Sequence, residues 1–211
     1  MPYFKNDNIH LLHIHIPKSG GSSVNEYFSN KFNIPLDKNS LYVSNENDFY
    51  NGVSLQHQTY PAMKKNPNVF PIAWEDPSLQ VISVVRNPYH RMISDMLWHG
   101  FITPDTTPYD CNRLLTRYFN ANWVDDHNIP QCRFVTTTDG KFIPGLKILK
   151  TETLKEDMHE LGFTDFDMHV NEFGRKKECR DYMTYFNSES LNRVNTMYQR
   201  DFALFDYEMQ W

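Results

Sequence analysis

Apolar positions cluster into short runs separated by polar turns. The first run is Ile9 to Ile16, in which Ile9, Leu11, Leu12, Ile14 and Ile16 span a strand length before Pro17 stops it. Gly20 and Gly21 follow and allow a sharp turn. Ser22 or Ser23 can then cap a helix whose apolar side begins with Val24, Tyr27 and Phe28. A second run, Val81 to Val85, is apolar on both faces, as a central parallel strand is. Arg86-Asn87-Pro88 breaks it, and a helix follows from Tyr89 to Trp98 with Met92, Ile93, Met96 and Leu97 inward. Leu146 to Leu149 makes a third strand. Helical spacing recurs over Cys111 to Tyr118 (Leu114, Leu115 and Tyr118 inward), over Leu154 to Leu161 before Gly162, and over Ser188 to Tyr207 (Leu191, Val194 and Tyr198 inward). Asn33 to Tyr60 is polar and broken by turn formers, with one short helix near Asp48. The repeated order of strand, polar turn and helix predicts an α/β fold, a central parallel β-sheet flanked by helices. Residues 1–211 read as a single domain.

Composition narrows the class. With 211 residues the chain can bury a core, and 15% aromatic against 22% charged residues is a globular balance. A net charge of -5 argues against nucleic-acid or anionic-membrane partners. No apolar run reaches membrane-spanning length, and MPYFKNDN lacks a signal-peptide core, so a soluble cytoplasmic protein is expected. Cys111, Cys132 and Cys179 are few and widely spaced. They read as reduced thiols, with one disulfide plus a free thiol as the alternative.

The candidate chemistry lies in Pro17-Lys18-Ser19-Gly20-Gly21-Ser22-Ser23. A strand, a glycine turn and a helix N-terminus together form an anion site, where unpaired N–H groups and the positive end of the helix dipole converge. Lys18 adds a charge, and Ser19, Ser22 and Ser23 add hydroxyls. A Walker loop places its lysine after the last glycine, but here the lysine precedes both. Arg86 stands at the C-terminal end of the second strand, the edge where open α/β sheets bind ligands. Ser94 follows eight positions later. Arg91 reads as a solvated or ion-paired residue.

The PKSGGSS order resembles the 5′-phosphosulfate loop of sulfotransferases. It is similar to the HIPKTGGTS form of the membrane-type carbohydrate sulfotransferases, the heparan sulfate 2-O-sulfotransferases among them. Arg86-Asn87-Pro88-Tyr89 with Arg91 and Ser94 resembles the 3′-phosphate motif of the same family. The segment around Arg175 and Lys176 resembles a C-terminal stretch that lies near the nucleotide, although Phe173 and Gly174 depart from the usual serine pattern. HNIPQCRFV looks like a family segment that precedes a connecting strand, and Glu152 like an acidic strand end that orients its neighbours.

The resemblance implies 3′-phosphoadenosine 5′-phosphosulfate as donor, with Pro17 to Ser23, Arg86, Ser94, Arg175 and Lys176 binding it. A hydroxyl acceptor, on a saccharide, follows from the same likeness. Lys18 would stabilise the leaving phosphate, and His57, in a polar segment between the two motifs, would serve as base, with His99 and His127 as runners-up. The acceptor pocket falls to Asn33–Met63 and Gly100–Pro130. No metal is expected: His13 and His15 share a face but read as satisfied core histidines. Two other classes remain open. One is a P-loop nucleotide kinase, against which the ending of VISVV in arginine rather than a magnesium-binding carboxylate counts. The other is a nucleotide- or glycan-binding protein without turnover.

Overall fold

Residues Tyr3–Asn6 (β1) and Ile9–Ile14 (β2) form an antiparallel hairpin that pairs Tyr3 with Leu12 and Asn6 with Ile9. β2 then pairs in parallel with Gln80–Val85 (β5), and β5 in parallel with Leu146–Lys150 (β6), giving the order β1-β2-β5-β6. The sheet is therefore mixed rather than wholly parallel. Only its antiparallel edge β1 departs from the expected pattern, because a two-residue turn at Asp7-Asn8 folds the start of the chain back along β2. These coordinates come from a computed structural model that describes residues 1–43, 48–167 and 181–211.

Alternation along the strands divides the core in two. Leu11, Ile82, Val84 and Leu149 pack with Val24 and Phe28 of Gly21–Phe32 (α1) and with Met158 of Leu154–Glu160 (α6). The opposite positions Leu12, Ile14, Val81 and Val85 pack with Met63 of Tyr60–Lys65 (α2), Phe134 and Val135 of Cys132–Val135 (α5), and Phe205 of Ser188–Phe205 (α7). Both faces of β5 are covered, which is why its run is apolar throughout. A third cluster joins α7 to Pro88–Trp98 (α3) and Pro108–Phe119 (α4) through Tyr89, Met92, Met96, Leu115, Tyr118, Tyr198 and Phe202. Cys111 and Cys132 are buried free thiols, whereas Cys179 lies outside the described residues. No helix among the described residues is long and apolar enough to cross a membrane.

Three local expectations are corrected. The helix near Asp48 is absent: Phe49–Tyr50 (β3) and Val53–Ser54 (β4) form a hairpin closed by Asn51 (φ 51°) and Gly52 (φ 79°). Asn-Gly is the sequence that a turn with two positive φ angles demands. The stretch at Pro130-Gln131 leads into the short helix α5, not a strand, because buried Asp201 accepts from the N–H groups of Gln131 (2.7 Å) and Cys132 (2.8 Å) and holds that turn. Finally, α7 ends at Phe205 and kinks at Tyr198.

Arg91 corrects a further expectation. It is buried rather than solvated, at 2% exposure. Its Nε donates to Pro17 O (3.0 Å), Nη1 to Ile129 O (2.9 Å) and Nη2 to His127 O (2.5 Å). One guanidinium thus ties α3 to the glycine loop and to the 127–129 segment. Truncating it strands three carbonyls, so Arg91→Ala should lower unfolding free energy by about 3 kcal/mol or more in a urea titration. Arg91→Lys should recover only part of this, since one ammonium cannot match the fork. A loss under about 1 kcal/mol for the alanine variant would mean water replaces the guanidinium without difficulty.

Candidate functional site

The C-terminal ends of β2, β5 and β6 converge on the loop Pro17–Gly20. Its three successive carbonyls are all held from behind. Pro17 O accepts from Arg91, Lys18 O from Arg86 Nη1 (3.2 Å) and Ser19 O from the Thr151 hydroxyl (2.8 Å), Thr151 being the first residue after β6. Lys18, Gly20, Gly21 and Ser22 border a cavity beside this loop. Lys18 (φ 64°) and Gly20 (φ 79°) are both left-handed, which reverses the chain and starts α1 at Gly21. A side chain at Gly21 would meet His15 Nδ1 at 2.8 Å, so the loop seats directly on the strand histidines.

The serines play different parts from those expected. Gly20 is the N-cap of α1 and no side chain caps it, so neither Ser22 nor Ser23 does. Helix-end donors left uncapped by a side chain are what an anion site offers. Ser19 is buried and donates to Gln131 Oε1 (3.3 Å), and Ser23 is buried within α1, whereas Ser22 is exposed on the cavity wall. Gln131 Oε1 also accepts from Arg86 N (2.9 Å), and its Nε2 donates to Arg86 O (2.8 Å), which fixes the residue after β5.

The far wall of the cavity, about 400 Å³ in volume, is a group of imidazoles: His15, His57, His99 and His127. His57 sits in a short 3-10 turn, Leu55–His57, and is buried. Its Nδ1–H donates to Asp125 Oδ2 (2.6 Å), with Ser54 Oγ 3.0 Å from the same nitrogen, and Ser54 N donates to Asp125 Oδ1 (2.7 Å). The carboxylate thus fixes the tautomer and leaves Nε2 as a lone pair. His127 repeats the device: Nδ1 lies 2.6 Å from Asp95 Oδ1, and Tyr118 donates to Asp95 Oδ2 (2.9 Å). The rings pack at centroid distances of 5.3 Å (His15–His57), 4.8 Å (His57–His127) and 4.9 Å (His99–His127).

Burial pushes His57 down to about 4, against the opposing pull of Asp125. It likewise pushes His13 to about 4 and holds His15 well below the ordinary imidazole range. Burial pulls Asp125 upward, but the hydrogen bonds from His57 and Ser54 outweigh it and keep the carboxyl below its usual value. At neutral pH His57 is therefore an uncharged imidazole facing an ionised carboxylate, and burial makes it a weaker base than an imidazole at its ordinary value.

Lys18, Gly20, Gly21, Ser22 and His57 thus meet in one cavity, together with the runners-up His99 and His127. Pro17 also borders it. Arg86 does not line it; its guanidinium sits behind the loop, 5.2 Å from the centroid of the Tyr182 ring. Ser94 is buried in α3 and also lies outside the lining. Arg175 and Lys176 fall outside the described residues. His13 and His15 share the buried Asn25, whose Oδ1 accepts from His13 Nδ1 and whose Nδ2 donates to His15 Nδ1 (2.9 Å). Glu152 lies in the 3-10 turn after β6 rather than at the strand's end, and accepts from Asn87 N (2.9 Å) and the Tyr207 hydroxyl (2.8 Å). Sequence reasoning missed Asp125, Asp95, Gln131 and Thr151, because each acts across a separation in the chain that no local spacing encodes.

Two triads, His57/Asp125/His127 and Asp95/His99/His127, hold donor atoms within 4.8 Å of one another and could receive a metal ion. Their shortest contacts are imidazole–carboxylate hydrogen bonds. No family model matches the sequence, and neither the curated proteins nor the solved structures provide a match.

Between pH 6.5 and about 4 the unfolded chain binds protons at His13 and His57 that the folded chain does not. Their contribution is present above about pH 6.5 and lost as pH falls, with a limiting slope of about 1.4 kcal/mol per unit for each group. The urea midpoint should drop between pH 7 and pH 5, and His57→Gln should flatten part of the fall. Identical pH profiles for variant and wild type would show that His57 protonates freely in the folded chain.

Proposed function

We propose that this chain is a sulfotransferase that moves the sulfuryl group of 3′-phosphoadenosine 5′-phosphosulfate to an acceptor hydroxyl of a carbohydrate. The observation that carries the reading is one cavity in which a lysine-bearing, uncapped helix N-terminus faces an uncharged, carboxylate-oriented histidine. One side suits an anionic leaving group and the other a hydroxyl that must lose its proton. The likeness of PKSGGSS and of Arg86-Asn87-Pro88 to the two phosphate motifs of carbohydrate sulfotransferases supports the same assignment.

In this reading the acceptor oxygen attacks sulfur in line, and the bond from sulfur to the bridging phosphate oxygen breaks. The acceptor proton passes to His57 Nε2, while Asp125 stabilises the imidazolium formed. Negative charge gathers on the bridging oxygen, where Lys18 and the amides of Gly20, Gly21 and Ser22 stabilise it. The donor supplies two anionic ends. The loop receives the 5′ end, and the 3′-phosphate falls to Arg86 on the likeness of its motif, although its guanidinium lies outside this cavity. No metal step is needed in this scheme.

Calorimetric titration with adenosine 3′,5′-bisphosphate, beside ATP with Mg²⁺, tests the donor class. Metal-independent binding of the bisphosphate is expected, and a preference for ATP with Mg²⁺ would move the chain to the kinases. Arg86→Ala should weaken the bisphosphate more than adenosine 5′-phosphosulfate, which lacks the 3′-phosphate; equal losses would remove Arg86 from that role.

Turnover tests the base. His57→Ala should lower kcat by about 10²- to 10⁴-fold at unchanged bisphosphate affinity. Asp125→Asn should give a smaller loss of the same kind. Unaltered kcat in His57→Ala would transfer the base role elsewhere in the cavity.

A further inference from the structure

We propose that Asp95, His99 and His127 form a binding site for one divalent transition-metal ion of the zinc class. The site stands on its own geometry and does not depend on the reaction assigned to the cavity. Asp95 lies in the last turn of α3, and His99 follows at its C-terminal cap, where its N–H donates to Asp95 O (2.9 Å). A spacing of four brings both side chains to one face of that helix end. His127 comes from the segment before α5, and its backbone carbonyl is one of the three that Arg91 holds. Contacts that involve no ion therefore bring the three ligands together.

Their separations have the size of a coordination sphere. His127 Nδ1 is 2.6 Å from Asp95 Oδ1, His99 Nε2 is 3.4 Å from His127 Nδ1, and His99 Nε2 is 3.6 Å from Asp95 Oδ1. Nitrogen and oxygen ligands about 2.1 Å from a tetrahedral ion stand about 3.4 Å apart. Two edges of the triangle already match, and the third would have to open by about 0.8 Å. A proton between His127 and Asp95 explains only that short edge. His99 Nε2 stands farther from both partners than a normal hydrogen bond reaches, yet at the spacing that a shared ion sets.

The surroundings support the same reading. Asp95 Oδ2 accepts from buried Tyr118 (2.9 Å), which fixes the carboxylate and leaves Oδ1 for the ion. Asp95 is buried, whereas His99 and His127 line the cavity, so the open coordination position faces it. Three protein ligands with an open fourth place suit an exchangeable ion rather than a closed structural one. Asp125 adds a second carboxylate on the same wall, against the opposing charge of Lys18. Two imidazoles and one carboxylate select a first-row ion such as Zn²⁺ and disfavour Mg²⁺, which prefers an octahedron of oxygens. On binding, His127 would carry its proton on Nε2 and His99 on Nδ1. The triad His57/Asp125/His127 shares His127, and variants of the unshared residues separate the two.

The test is calorimetric titration of the metal-free full chain with ZnCl₂ and, separately, with MgCl₂. One Zn²⁺ per chain should bind with micromolar or tighter affinity, and Mg²⁺ should not bind. Co²⁺ should give the intense visible absorption of a four-coordinate ion, which Zn²⁺ should then bleach. His99→Ala should weaken zinc by about 100-fold or more, as should Asp95→Asn. His99 is partly exposed, so its variant serves if Asp95→Asn fails to fold. His57→Gln and Asp125→Asn should hold zinc affinity within about threefold. Absence of saturable zinc binding, equal affinity for Mg²⁺, or unchanged zinc affinity in His99→Ala overturns the proposal. So does a loss in Asp125→Asn that His99→Ala fails to reproduce, which would move the ion to the other triad.

Discussion

The glycine loop keeps its shape only if its inward carbonyls are satisfied from elsewhere in the fold. Here three donors from three separate elements meet that condition: Arg91 of α3, Arg86 after β5 and Thr151 after β6. Arg91 matters most, because the same guanidinium also fixes the carbonyls of His127 and Ile129. It therefore sets the distance between the two walls of the cavity. Three of its five N–H donors go to carbonyls, which offsets much of the cost of burying the cation.

The opposite wall depends on a second device, used twice. Asp125 holds His57 and Asp95 holds His127, each through Nδ1. Burial keeps His57 neutral while its carboxylate keeps it oriented, so its available nitrogen can take a proton without first losing one. The cost is acid sensitivity of the fold, since the same burial opposes protonation. Proton-acceptor competence and loss of stability at low pH are two consequences of one environment.

Much of this was legible in the chain. Strand positions 9–14, 80–85 and 146–150, and helices α1, α3, α4, α6 and α7, follow from apolar periodicity and from punctuation by Pro17, Gly20, Pro88 and Gly162. The glycine loop was readable because it is local: strand, glycines and helix start are contiguous. The hairpin at Asn51-Gly52 was missed: its turn dipeptide is present, but the polar stretch around it reads as a short helix near Asp48. Arg91 was misread because a charged residue within a helix is usually solvated, and nothing nearby in sequence announces three carbonyls waiting for it.

The sequence by itself determined the order of strands and helices, the place of the loop and the presence of histidines able to act as bases. Those depend on interactions within a few residues, where spacing translates directly into geometry. Only the tertiary structure decided which histidine is oriented by which aspartate, that Arg91 faces inward and that β1 runs antiparallel. Each of these joins residues brought together by packing of the helices on the sheet. Such contacts arise from the shape of the folded core, which no single stretch of chain contains.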